Sequence, residues 1–209
     1  WRPADPRSVA RPTYSTLVTQ HWRAVGDTWQ LQTLQTVRLS APAETRTYPS
    51  GELELQGQWF APAGPGPFPA IVYLHGNEPD PTDLCESVAP GLVARGYVVW
   101  CPHRRGSGLS AGQGDNLLRR LTEVEKRDGV EARSRLAISE LEGPQLDDVA
   151  AAVAYAKRQP EVRPARVFAI GNSFGGVLAL LAAERDVGVP ATANFAGSAI
   201  NWERSERFR

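Results

Sequence analysis

The sequence predicts an α/β domain built on a doubly wound, mostly parallel sheet, and three observations carry that expectation. Short apolar runs typical of buried parallel strands recur at residues 70–74, 97–101 and 167–170. The stretches between them are helical in pattern and long enough for right-handed crossovers. The third run leads directly into Gly171-Asn172-Ser173-Phe174-Gly175-Gly176 and then into the small-residue helix 177–183, which sets a G-x-S-x-G on a strand-to-turn-to-helix step.

Taken in order, residues 1–30 carry prolines, arginines and three of the six tryptophans without a clear period. They are expected to form an extension lying across the body of a domain that occupies residues 31–209. Residues 31–39 and 53–60 alternate apolar with polar side chains, as antiparallel edge strands do. Residues 61–67 hold three prolines and two glycines and form a tight connector. After the strand at 97–101 comes an insertion, residues 111–144, in which Leu117, Leu121 and Val124 recur at helical spacing among charged neighbours. It is expected to be a charged amphipathic helix that either caps the site or packs on the sheet edge. A helix over 146–158 and a strand-like run at 191–196 complete the alternation.

Composition bounds the partners. With 209 residues, 42% hydrophobic, the chain can bury a real core. The 23 basic and 23 acidic residues give a formal net charge of zero, so nothing electrostatic points to nucleic acid, and small-molecule or peptide substrates fit better. No stretch approaches the roughly twenty continuous apolar residues of a membrane span. The chain has no methionine and starts at Trp1, so Trp1 is not a translation start; a removed leader or a trimmed end is expected, and an exported location is favoured over the cytoplasm. Cys85 and Cys101 form no metal spacing. A pair or two free thiols both fit; buried small hydrophobes are preferred, since Cys101 ends a strand and Cys85 lies on an apolar helix face. No cofactor and no metal is expected.

The chemistry gathers at two strand ends. Gly171 and Gly175 let the backbone turn sharply around Ser173, lifting its hydroxyl above the strand, while the following helix aims its N-terminus at the same spot. The run at 69–74 ends in His75-Gly76-Asn77. Acyl transfer needs two backbone N–H donors where negative charge develops on the carbonyl oxygen, and those of Phe174 and Asn77 are the candidates. His75 is expected to hold the turn, with Gly76, and not to act as general base, because a residue that shapes an oxyanion loop is poorly placed to take a proton from Ser173.

Four segments, Tyr73-Leu74-His75-Gly76-Asn77, the stretch from Pro102 to Ser110, Gln145-Leu146-Asp147-Asp148-Val149 and the Ser173 elbow, resemble the α/β-hydrolase superfamily. Within it they are similar to the dienelactone hydrolase-like and prolyl-oligopeptidase-like branch. The resemblance implies an eight-stranded, mostly parallel sheet and a triad in the chain order Ser, Asp, His. Only 36 residues follow Ser173, and His21, His75 and His103 all precede it. The expectation is therefore a sequence that stops after the sixth strand, with the acid and the histidine beyond Arg209. Glu203 is a weaker candidate acid, and Asp186 reads as a surface charge.

Arg104 and Arg105 either clamp a substrate carboxylate or fix backbone carbonyls. The function expected from all this is hydrolysis of a carboxylic ester or lactone through an acyl-enzyme on Ser173. An oligopeptidase-type amide hydrolase and a non-catalytic scaffold on the same fold are the alternatives.

Overall fold

Two separate pieces of β structure form. In the computed structural model, which describes residues 15–39 and 41–197, β1 (Ser15–Val25) and β2 (Thr28–Leu39) pair antiparallel as a two-stranded hairpin of their own. The main sheet contains β3 (Glu44–Ser50), β4 (Leu53–Phe60), β5 (Phe68–Leu74), β6 (Val98–Pro102), β7 (Val162–Asn172) and β8 (Thr192–Phe195), in the order β3-β4-β6-β5-β7-β8. The four strands from β6 to β8 run parallel, and β4 is antiparallel to both its neighbours. The doubly wound, mostly parallel sheet is thus present, with six strands among the described residues.

One expected strand sits elsewhere. Residues 31–39 belong to β2, whose partner is β1 and not the main sheet; the sheet edge is taken by β3, so residues 53–60, expected as an edge strand, form β4 between β3 and β6. Its sequence, Glu-Thr-Arg-Thr-Tyr-Pro-Ser, offers little apolar signal because only Tyr48 and Ser50 turn inward. Pro49 is tolerated because an edge strand does not need every N–H. Residues 1–14 and Glu203 lie outside the described residues.

Alternation along the central strands gives the sheet two apolar faces. Ala70, Val72 and Leu74 of β5, with Val98, Trp100, Val167 and Ala169, pack under α3 (Pro144–Lys157) and α4 (Phe174–Glu184). Tyr73, Val99 and Cys101 face the other way, against Cys85 and Ala89 of α1 (Thr82–Val93). At the antiparallel end Tyr48, Trp59, Trp100 and Tyr155 form an aromatic cluster, with Trp100 meeting Tyr48 edge-on at a 5.5 Å centroid distance. Burying each such ring contributes on the order of 2 kcal/mol.

The winding also determines where a site can form. From β5 the chain crosses through α1 to β6 on one side, then returns past α3 to β7 on the other. The carboxyl end of β5 is therefore a switch point, where loops part and leave a crevice.

Polar contacts pin the loop after β6. His103 is buried; its Nδ1 accepts from the Leu109 N–H at 2.9 Å, which leaves Nε2–H facing Gln58 Oε1 at 3.4 Å. Arg105 clamps the wholly buried Asp148 through its backbone N–H and its guanidinium, at 2.6–3.0 Å, and Ser50 Oγ donates to the same carboxylate at 2.7 Å. Cys85 and Cys101 are joined in a disulfide between α1 and β6, which corrects the expectation of two buried thiols. Both were rightly placed as buried, but only the fold brings their Cα atoms to 6.2 Å. No helix among the described residues is long and apolar enough to cross a membrane.

Two outcomes are expected. Closing a loop with a sequence separation of 16 residues stabilises by about 3 kcal/mol in the chain-entropy picture, so Cys85→Ala with Cys101→Ala lowers the urea midpoint accordingly. Thiol titration of the denatured, unreduced protein finds no free thiol; two free thiols would refute the pairing. Separately, burial first and Arg104 second hold His103 down at about 4, against Asp80, which pulls it up. The unfolded imidazole, near 6.5, takes up a proton that the folded one refuses. Stability is therefore full above pH 6.5 and declines as pH falls towards 4. His103→Gln flattens that decline in urea midpoints measured from pH 7 to 4.5; an unchanged slope would count against the assignment.

Candidate active site

Ser173 stands between β7 and α4 with φ 53 and ψ −120, a backbone region that costs a non-glycine residue about 1–3 kcal/mol. Neighbouring contacts hold it there. The Ser173 N–H donates to Phe195 O at 2.8 Å, and its own carbonyl accepts from Gly176 N at 2.9 Å. The flanking glycines are required by space: a Cβ on Gly171 would lie 1.9 Å from Gly175 O, and one on Gly175 would lie 2.1 Å from Leu74 O. The strain and the crowding together lift the Ser173 side chain into the open at the head of α4.

The loop after β5 meets it there. A Cβ on Gly76 would lie 2.5 Å from Glu78 Oε2 and 3.4 Å, an ordinary contact distance, from Ser173 Cβ, so the His75-Gly76-Asn77 backbone runs directly beside the serine. Glu78 accepts the Gly76 N–H at 3.1 Å. Phe174 is the first residue of α4, so its N–H has no partner within the helix, and the Asn77 N–H follows Gly76 on the facing loop.

His75 is wholly buried and uses both ring nitrogens. The Arg104 backbone N–H donates to Nε2 at 3.2 Å, so the proton sits on Nδ1, which faces Gly76 O at 3.0 Å. Burial, then the charge of Arg104, holds its pKa well below the ordinary histidine value, so it is neutral near pH 7. His103 is engaged on both nitrogens as well, and His21 lies on the β1 hairpin. None of the three is presented to Ser173 as a base.

Arg104, weighed from the sequence as a carboxylate clamp, is 2% exposed. Its guanidinium donates to His75 O at 2.8 Å, Gly76 O at 2.7 Å and Gln145 Oε1 at 2.9 Å, and lies 5.6 Å from the Phe174 ring centroid. Burial lowers its pKa to about 10, which still leaves it charged at neutral pH. Arg105, the other candidate clamp, is engaged with Asp148. The sequence reading gave no role to Glu78, and it named Gln145 only as part of the segment that opens α3.

The insertion is α2 (Leu117–Glu142), and Gly129 at φ 84, ψ 175 breaks it in two. The halves fold back on each other: Arg120 meets Glu140 at 2.6 Å, Arg133 meets Glu125 at 3.2 Å, and Leu121 packs with Ala137. Leu117 and Leu121 belong to the same cluster as Phe174, so the apolar stripe rests beside the elbow. Val124 is half-buried.

Comparison with known proteins agrees with this architecture. The family described as "Dienelactone hydrolase family" matches residues 55–207. A Synechocystis protein provisionally named a carboxymethylenebutenolidase is 29% identical over 160 residues, covering 74% of this chain and 58% of that protein. Esterase EstD of Thermotoga maritima is 30% identical over 138 residues, 63% of this chain and 27% of the esterase. The chain thus spans less than two thirds of the length of either. Among solved structures, a dienelactone hydrolase-like promiscuous phosphotriesterase from metagenomic libraries superposes with a TM-score of 0.55 at 21% identity, over 80% of this chain and 66% of the other. The 2,6-dihydroxy-pseudo-oxynicotine hydrolase gives 0.57 at 19% identity, over 80% and 41%. The fold is that of the α/β hydrolases, and the chain belongs to the dienelactone hydrolase family.

Proposed function

We propose that the protein hydrolyses a carboxylic ester or lactone through an acyl-enzyme on Ser173. Oγ attacks the substrate carbonyl, and the new oxyanion is received by the N–H groups of Asn77 and Phe174. Collapse of the tetrahedral adduct expels the alcohol, and water attacking the acyl-serine releases the acid. Each preorganised donor in such a site lowers the barrier by about 2.7–4 kcal/mol. The general base and its acid partner come from outside the described residues, since His75 and His103 use both ring nitrogens structurally. Arg104 and His75 act here as positioning groups that hold the donor loop, and α2 is a cap that shapes the acyl pocket for a small-molecule ester.

The observation that carries this reading is the strained Ser173 backbone at the head of α4, set beside the loop after β5. An organophosphonate probe should label the intact protein at Ser173, located by mass spectrometry of the modified peptide, and Ser173→Ala should abolish both labelling and ester turnover. Folded, intact protein that takes no label at Ser173 would overturn the reading.

A further inference from the structure

A line of polar contacts runs from the cap to the oxyanion loop. Arg120, on the first half of α2, donates to Glu140 Oε1 on the second half at 2.6 Å; Gln145 Nε2 donates to Glu140 Oε2 at 3.5 Å, the longest link; and Arg104 Nε donates to Gln145 Oε1 at 2.9 Å. Arg104 in turn holds the carbonyls of His75 and Gly76. Glu140 and Gln145 are 6% and 3% exposed, so each must be satisfied inside the protein. The apolar side of the same cap touches Phe174, so one helical hairpin bears on both segments that supply the oxyanion donors.

We propose that Glu140 and Gln145 are positioning residues that lock the cap to the oxyanion loop through Arg104, a role that rests on the ester-hydrolase reading above. The relay has a direction. Arg104 can only donate, so Gln145 must turn its oxygen to Arg104 and its amide nitrogen to residue 140. Residue 140 must then accept from Arg120 on one terminal atom and from Gln145 on the other, which a carboxylate does and an amide, with a single accepting atom, cannot.

That polarity supplies the test. Glu140→Gln places a donor against a donor at one end, and Gln145→Glu sets two carboxylates against each other. In the double variant the new carboxylate at position 145 accepts from Arg104 and from the new amide at 140, whose oxygen still accepts from Arg120. Steady-state hydrolysis of p-nitrophenyl acetate and hydrogen exchange at the Gly76 and Arg104 amides are measured on the intact protein. Each single substitution should lower kcat about tenfold, as loss of sub-ångström positioning does, with KM nearly unchanged and exchange at both amides faster. The double variant should recover both readouts. Arg133→Ala, which breaks only the ion pair near the tip of the hairpin, should leave both at the parent level. Folded single variants with parental kcat and exchange, or a double variant no better than the singles, would overturn the proposal. If the parent protein turns over no ester, the hydrolase reading fails, and the exchange pattern alone decides the coupling: unchanged protection in both singles rejects it.

Discussion

The buried guanidinium of Arg104 is the contact on which the site depends. A cation taken from water must find its hydrogen bonds inside the protein, and Arg104 finds them on the carbonyls of His75 and Gly76 and on Gln145. The bonds that satisfy the charge also fix the direction of the loop: with two consecutive carbonyls turned towards Arg104, the backbone is held where Gly76 abuts Ser173. Lysine could not span those acceptors, because a point ammonium lacks the planar fork. The same residue keeps His75 neutral, since its charge adds to burial in disfavouring the imidazolium.

The elbow obeys a complementary constraint. Ser173 holds a costly backbone conformation that persists because Gly171 and Gly175 allow close backbone contacts and Phe195 O binds its N–H. In the mechanism proposed above, strain on one side of the crevice and a clamped loop on the other would leave little for the protein to reorganise as charge develops on a substrate oxygen. The disulfide and the Arg105–Asp148 clamp hold the β6 end from which Arg104 projects, so stability and site geometry share the same supports.

Much of this was legible in the sequence because it rests on local rules. Apolar runs located β5, β6 and β7, and the glycine spacing placed Ser173 on a strand-to-helix turn. What escaped was set by tertiary pairing. β3 has too few inward side chains to show a period, and β2 alternates like an edge strand yet pairs only with β1. The cysteines differ from free thiols only through a distance that the fold creates. Gly129 gives no sequence sign that it reverses a helix, and nothing in the sequence pairs Glu140 and Gln145 with Arg104 until the fold brings them together. For Arg104 itself, the sequence left two roles open; burial separates them.

The crystal structure of the Ser173 phosphonate adduct of the intact protein decides whether the Arg104-held loop and the elbow together receive the oxyanion. The phosphoryl oxygen should lie about 3 Å from the nitrogens of both Asn77 and Phe174, with Arg104 still on the carbonyls of His75 and Gly76. An adduct whose oxygen points to solvent or is bound by other groups, or one in which Arg104 has left the loop, would contradict that arrangement.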